Sequence, residues 1–104
     1  LMPNVIISSF SLDTLRWFME ESRHIRLGVL ISQYTPHMLV EDGRRWQVRY
    51  EALHPEHTLV DAEATRRARQ QRKKMVVWTV NDAERKRELA QLGVDAIITD
   101  DPVR

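Results

Sequence analysis

The chain has 104 residues and a net charge of +1, and 42% of its residues are hydrophobic and 30% charged. This composition fits one globular domain, 1–104, and excludes disordered and fibrous classes. No apolar run approaches the ~18 residues of a membrane span, no signal peptide is predicted, and the balanced charge argues against bulk attraction to nucleic acid. The sequence has no cysteine, which excludes disulfides and thiol nucleophiles and favours a reducing, cytoplasmic location.

Five short apolar runs predict five strands. They are 5–7, 27–31, 52–53, 75–80 and 96–98. Three of them are continuous and rich in β-branched residues, a pattern typical of parallel strands covered on both faces. Their starts recur roughly every 20 to 25 residues, which is the spacing of βα units.

Amphipathic patterns predict three helices between these strands. The first spans 11–23, with Ser11 as its N-cap. A capping-box-like pattern predicts that the second begins at Thr58 and runs through Ala68. Asp82 caps the third, and Gly93 ends it in a left-handed conformation.

The stretch 33–50 is less regular. Thr35-Pro36 predicts a short helix with proline in its first turn, and Asp42-Gly43 predicts a turn. Trp46 and Val48 are expected to pack on the sheet. The fold class is therefore α/β, either an open doubly wound sheet of five strands or part of a (βα)8 barrel, and the pattern alone does not choose between them.

The C-terminal motifs carry a family resemblance. Residues 75–81 read MVVWTVN, and residues 93–102 read GVDAIITDDP. This pair resembles the last two strands of the glycerophosphodiester phosphodiesterase family, typically V-V-W-T-V-N and G-V-D-x-I-x-T-D-x-P. Residues 5–10, 26–30 and 52–55 resemble the family's fourth, fifth and sixth strands in order. The resemblance implies a partial (βα)8 TIM barrel of five βα units, the C-terminal part of the family's fold.

The strands that carry the family's catalytic motifs are not found in this sequence. In the family, the catalytic histidines lie in H-R-G and H-D motifs, and the metal carboxylates in E-x-D and E-x-K motifs, on the first three βα units. This chain is expected to contribute no catalytic or metal-ligating residue and to be inactive alone. The complete enzyme would use a divalent cation, Ca²⁺ or Mg²⁺, to hydrolyse a glycerophosphodiester to an alcohol and glycerol 3-phosphate. A first residue that is leucine suggests a piece of a longer protein.

The resemblance implies a substrate-binding rim at the carboxyl ends of the strands. Its candidate residues are Ser9, Phe10, His54, Trp78 and Asn81. In the family, the tryptophan of W-T-V-N forms an apolar wall beside the substrate; for Trp78 the alternative is a core side chain. The alternative for Asn81 is to cap the following helix.

Three further features have competing interpretations. His54 and His57 form an H-x-x-H pair that suggests metal binding, but two histidines without a third ligand are a weak signal. Thr99-Asp100-Asp101-Pro102 is expected to close the last strand by local hydrogen bonds, not to act as a carboxylate pair. The basic run 66–74 suggests a surface that binds nucleic acid or an anionic membrane. The alternative interpretation is a helix face that is simply exposed to solvent.

Two expectations concern assembly and local geometry. A five-stranded arc has two open parallel edges, so the chain is expected to pair with missing N-terminal strands or to self-associate. The alternative function is accordingly a non-catalytic half-barrel scaffold. Arg72 stands where the family usually has a glycine, so the end of the second helix is expected to be reshaped.

Overall fold

The computed structural model describes residues 6–100 as five strands alternating with helical segments. The elements are β1 (Ile6–Ser9), α1 (Leu12–Glu21), β2 (Arg26–Ile31), β3 (Ala52–Pro55), α2 (Ala62–Gln70), β4 (Lys74–Val77), α3 (Ala83–Leu92) and β5 (Ala96–Ile97). All five predicted strands and all three predicted helices are present. Val5, Asp101 and Pro102, which belong to the predicted first strand and last motif, lie outside the described residues.

The order of the strands decides between the two α/β architectures. The sheet runs β1-β2-β3-β4-β5, and every neighbouring pair is parallel. A doubly wound sheet reverses its strand order at a switch point, and this sheet contains no reversal. Because right-handed crossovers that always advance in one direction place the helices on the same side, the sheet forms an arc of a barrel.

Side chains on the helix-covered face form the hydrophobic core. Alternate residues of β2 and β4 point to this face and are fully or almost fully buried, together with one leucine from each of α1 and α3: Leu27, Val29, Ile31, Met75, Val77, Leu15 and Leu89. The opposite face is the inner face of the arc. There Ile6, Phe10 and Ile98 are exposed near the two edge strands, whereas Gly28, Ala52 and His54 on the central strands are buried.

The helix ends follow the predicted capping chemistry with one exception. The Ser11 side chain accepts a hydrogen bond from the Thr14 backbone N–H at 3.2 Å, as expected of an N-cap. The prediction that α2 begins at Thr58 is wrong, because residues 57–59 form a 3-10 turn. The true cap is Asp61, whose Oδ1 accepts from the Ala64 N–H at 2.8 Å.

The end of α2 keeps its usual geometry although it lacks glycine. Arg72 has φ 58°, in the left-handed region. The Lys73 N–H donates to the Ala68 carbonyl at 2.9 Å and the Arg72 N–H donates to the Arg69 carbonyl at 3.1 Å, which is the Schellman arrangement. The expectation of a reshaped end is therefore wrong: the motif is retained with a strained arginine.

Two 3-10 helices replace a regular helix between β2 and β3. They span Pro36–Leu39 and Gly43–Trp46, at the places where the proline and the Asp-Gly turn were predicted. Trp46 and Val48 are buried in the core, as expected. Among residues 6–100 no helix is long and apolar enough to cross a membrane.

Candidate functional site

The carboxyl ends of the strands bring two aromatic residues together. Phe10 follows β1 and Trp78 follows β4, and these strands are separated by β2 and β3. Their ring centroids nevertheless lie 6.0 Å apart, with the rings nearly perpendicular, a favourable edge-to-face geometry. The curvature of the sheet produces this contact, and it forms an apolar wall across the inner mouth of the arc.

Hydrogen bonds to the end of β3 fix the position of Trp78. Its Nε1–H donates to the His54 carbonyl at 2.6 Å. Its backbone N–H donates to the Pro55 carbonyl at 3.2 Å, and its own carbonyl accepts from the His57 N–H at 2.7 Å. The indole N–H is therefore satisfied by the protein, and the ring is half-buried in contact with Phe10.

His54 lies beneath the aromatic wall and not at the rim. Its side chain is only 4% exposed, and its Nε2 is buried without a hydrogen-bond partner among the described residues. Burial lowers the pKa of this imidazole below its ordinary value, which favours the neutral form. Because the His54 side chain is buried, it does not contact bulk solvent. A substrate would therefore have to approach it from the inner face of the sheet.

Gly28 makes room for the His54 ring. A Cβ atom added at Gly28 would lie 2.6 Å from His54 Nε2 and 2.9 Å from its Cδ2. Residue pairing in the sheet places Gly28 opposite Ala52, two positions before His54 on β3. This close approach was not predicted from the sequence, although a glycine inside an apolar strand is a known sign of it.

Ser9 and Asn81 make local hydrogen bonds at the strand ends. The Ser9 Oγ accepts from the Ser11 N–H at 3.0 Å, at the start of α1. Asn81 Oδ1 accepts from Thr99 Oγ1 at 3.0 Å and from the Asp100 N–H at 2.9 Å. Asn81 thereby ties the end of β4 to the loop after β5.

The N-cap of α3 is Asp82, as predicted, and not Asn81. The Asp82 Oδ2 accepts from the Arg85 backbone N–H at 3.0 Å. The Arg85 guanidinium in turn donates to the carbonyls of His57 and Val60. Arg85 thus fastens α3 to the loop after β3, a role with no signal in the sequence pattern.

The described residues offer no cage for a divalent cation. Among residues 6–100 there is no group of three or more histidines, cysteines, aspartates or glutamates that could hold a metal ion. Hard cations need several convergent oxygens. This part of the chain therefore does not fit a resident cation, and what it offers a ligand is an apolar wall with a fixed indole.

Comparison with known proteins identifies the family. The model of the glycerophosphoryl diester phosphodiesterase family matches residues 2–104. The chain belongs to this family. The glycerophosphodiester phosphodiesterase of Caldanaerobacter subterraneus is 35% identical over 100 residues, which cover 94% of this chain and 39% of that protein. Arabidopsis thaliana GDPD4 is 44% identical over 46 residues, covering 44% of this chain and 14% of that protein.

Solved structures of the family confirm the fold. The Thermotoga maritima glycerophosphodiester phosphodiesterase superposes with a TM-score of 0.69 at 28% identity, over 93% of this chain and 43% of that one. The Oleispira antarctica phosphodiesterase, solved with the product sn-glycerol-3-phosphate, gives a TM-score of 0.76 at 21% identity, over 93% of this chain and 38% of that one. The chain therefore spans about two fifths of the length of these relatives and forms part of a (βα)8 barrel.

Proposed function

We propose that this chain is the C-terminal part, strands four to eight, of a glycerophosphodiester phosphodiesterase. The complete enzyme would hydrolyse a glycerophosphodiester to an alcohol and glycerol 3-phosphate. The observation that carries the proposal is the Phe10–Trp78 contact at the carboxyl ends of the strands, because a barrel of this kind places its active site there. The Oleispira relative, which contains glycerol 3-phosphate, supports the substrate class.

The described residues would bind and orient the substrate. Trp78 would present its ring face to the glycerol or alcohol group, and Phe10, with 54% of its surface exposed, would extend that wall toward solvent. Asn81 follows Trp78 at the end of β4 and would add a polar contact. Ser9 pairs with Val29, whose side chain points to the helix-covered face, so a contact from Ser9 would have to come from the strand end itself. His54 would contact substrate only from beneath, in its neutral form.

The chemical groups that hydrolysis needs would come from the remaining βα units. A divalent cation, Ca²⁺ or Mg²⁺, would there polarise a phosphoryl oxygen. Because H-R-G and E-x-D motifs do not occur in this sequence, and its E-x-K tripeptide, 84–86, lies on α3 and not at a strand end, the chain alone is proposed to be inactive. A cytoplasmic location stays a prediction.

Complementation tests this proposal. Release of glycerol 3-phosphate from glycerophosphocholine is measured with the chain alone and with the chain joined to the first three βα units of the Thermotoga relative. Activity only in the joined protein supports the proposal, and activity of the chain alone contradicts it. Joined protein that folds cooperatively but stays inactive also contradicts it.

Substitution of the wall tests the substrate contact within the joined protein. Trp78→Phe keeps an aromatic ring but removes the indole N–H that bonds His54, and Trp78→Ala removes both. We expect Trp78→Ala to lower kcat/KM by about tenfold to a hundredfold. The value for Trp78→Phe should lie between those of the unsubstituted joined protein and Trp78→Ala. Trp17→Ala is the matched control, because Trp17 is exposed on α1; an equal loss there would contradict the assignment.

A second candidate is a self-associating half-barrel scaffold. It is favoured by the unpaired edges of β1 and β5 within the described sheet and by the exposed apolar side chains of its inner face, Ile6, Phe10 and Ile98. Exposed parallel edges and apolar patches promote pairing. The complementation result separates the two candidates, since a scaffold gains no activity from added units.

A further inference from the structure

The basic run 66–74 lines a cavity that the proposed function does not use. This half-open cavity has a volume of about 310 Å³ and lies between the end of α2 and the residues that begin or precede the last two strands. Lys74 begins β4 and Asp95 immediately precedes β5, whereas Trp78 follows the carboxyl end of β4. The cavity is therefore at the opposite end of the sheet from the wall formed by Phe10 and Trp78.

The cavity wall has a surplus of positive charge. Among the described residues that line it there is one carboxylate, that of Asp95, against four cations: Arg69, Arg72, Lys73 and Lys74. The C-terminal ends of α2 and α3 also point to this end of the sheet, and each carries the equivalent of roughly half a negative charge. When both helix ends and the carboxylate are taken into account, a surplus of about two positive charges remains.

Arg72 combines an unpaired guanidinium with a strained backbone. Its side chain is exposed and has no hydrogen-bond or ion-pair partner among residues 6–100. Its φ of 58° lies in the left-handed region, at a position where the family usually has glycine. Strained residues cluster at functional sites, because the surrounding structure must hold them there. The Arg72 guanidinium is therefore open to a ligand and is retained at a cost to the fold.

Two further cations beside Arg72 are open to solvent. The Lys74 side chain is 73% exposed, and its Nζ lies 3.9 Å from Asp95 Oδ1, which makes this a weak surface pair. Arg69 is also exposed, and its Nη2 donates to the Gly93 carbonyl at 3.3 Å. This bond orients the Arg69 guanidinium and leaves its other N–H groups without a partner among the described residues.

The size and polarity of the cavity restrict its ligand. Ala68 and Met75 line it but are almost fully buried, so the wall offers little apolar surface. Lys73 Nζ donates to the Tyr50 carbonyl and contributes charge more than contact. A volume of about 310 Å³ has room for about ten water molecules, which suits two phosphoryl groups but not a nucleoside as well. The lining therefore matches a compact, polar anion with more than one negative charge.

We propose that this cavity binds a diphosphate group, either as inorganic pyrophosphate or as the diphosphate of a nucleotide. Arg72 binds one phosphoryl group through paired N–H donors. Lys74 and Arg69 bind the other. The nucleoside of a nucleotide ligand lies outside the cavity, in solvent. This proposal does not depend on the catalytic role of the complete enzyme.

Inorganic pyrophosphate, inorganic phosphate and ADP are the probes. Each is titrated without divalent cations into the ¹⁵N-labelled chain, and amide shifts report the affinity and the place of binding. We expect pyrophosphate to bind about tenfold more tightly than phosphate, the effect of one further charge-assisted hydrogen bond, with shifts confined to residues 65–75 and 93–95. Equal affinity for the two anions, no binding, or shifts elsewhere would overturn the proposal.

ADP distinguishes the two sources of the diphosphate group. Tighter binding of ADP than of pyrophosphate supports the diphosphate of a nucleotide as the ligand. Weaker binding of ADP at the same residues supports the free anion. If ADP shifts a different set of amides and pyrophosphate shifts none, the proposal is wrong.

Matched variants assign the binding to the cavity. Arg72→Gln and Arg72→Gly are each expected to weaken pyrophosphate binding about tenfold, and glycine fits the left-handed backbone, so Arg72→Gly should keep its fold. Arg66→Gln is the control, because Arg66 pairs with Glu63 and does not line the cavity. Equal effects of Arg72→Gln and Arg66→Gln would refute the site.

Asp95→Asn tests the charge of the wall in the opposite direction. The Asp95 Oδ2 accepts from the Met75 backbone N–H at 2.8 Å, and an asparagine oxygen can accept the same bond. The variant therefore keeps this contact and removes the negative charge, so it should strengthen pyrophosphate binding. Weaker binding by a folded Asp95→Asn chain would contradict the proposal.

Two further experiments address the alternatives. The titration is repeated on the chain joined to three βα units of the Thermotoga relative, so that self-association or an incomplete fold of the chain cannot explain a negative result. Gel retardation of a single-stranded oligonucleotide tests the basic run as a nucleic-acid surface. Retardation that Arg72→Gly abolishes, without pyrophosphate binding, would overturn the proposal in favour of nucleic acid.

Discussion

Replacement of Arg72 by glycine should stabilise the protein. Arg72 occupies the left-handed region at the end of α2, with φ 58°, where a side chain costs roughly 1–2 kcal/mol and glycine costs little. Glycine also gives the unfolded chain more conformational freedom, which offsets about 0.4–1 kcal/mol of the relieved strain. The guanidinium near a helix C-terminus contributes at least about 0.3 kcal/mol, which is lost. We therefore expect a net gain of about 0.5 kcal/mol in the free energy of unfolding.

Urea denaturation followed by circular dichroism at 222 nm measures this change, and a gain of this size corresponds to a rise in Tm of about 2–4 °C. Arg72→Ala is the matched control, because it removes the guanidinium and keeps the strained backbone. Gly93→Ala tests the converse, since Gly93 ends α3 with φ 86° in the same hydrogen-bonded arrangement and should lose stability. If Arg72→Gly is no more stable than Arg72→Ala, the strain argument is refuted.

Three further predictions concern the inner face of the sheet. Gly28→Ala should lower the free energy of unfolding by about 1–3 kcal/mol, because its Cβ would overlap the His54 ring; urea denaturation measures this, and the double variant with His54→Ala should recover much of the loss. Since burial lowers the pKa of His54 from 6.5, stability should be complete above pH 6.5 and fall as pH drops below it toward the lowered folded-state pKa. The free energy of unfolding of a His54→Asn variant should depend less strongly on pH. If its pH dependence equals that of the original chain, His54 is not the group responsible. Sedimentation velocity should show the chain alone as a dimer or larger species; a compact monomer would refute self-association.

Local chemistry made most of the fold predictable from sequence. Ser11 and Asp82 begin their helices and Gly93 ends α3 as expected, because a cap depends only on residues within one turn. Thr58 and Asp61 both satisfy the cap preference, and the choice between them rests on the 3-10 turn that packs after β3. The order of the strands in the sheet could not be predicted from the hydrophobic pattern. That pattern indicates whether a strand is buried, but it does not indicate which strand lies next to it.

The sequence predicted which strand ends carry the candidate site, but it did not predict how the side chains there contact one another. Placing Phe10 and Trp78 at the carboxyl ends of parallel strands follows from the βα order, whereas their contact depends on the curvature of the whole sheet. His54 was expected at the rim, yet its side chain turns into the space that Gly28 leaves open. That burial depends on a residue of a different strand, which no local pattern encodes.

The uninterrupted strand order also bears on how such a protein tolerates division and growth. Within residues 6–100, each strand hydrogen-bonds only to the strand before it and the strand after it along the chain. A cut between two βα units therefore breaks one ladder of hydrogen bonds and leaves every other pairing intact. In a doubly wound sheet, where the first strand lies in the middle, the loss of an end of the chain would remove a central strand. A sheet with this order can gain or lose whole units at its edges, which makes it suited to assembly from separately encoded pieces.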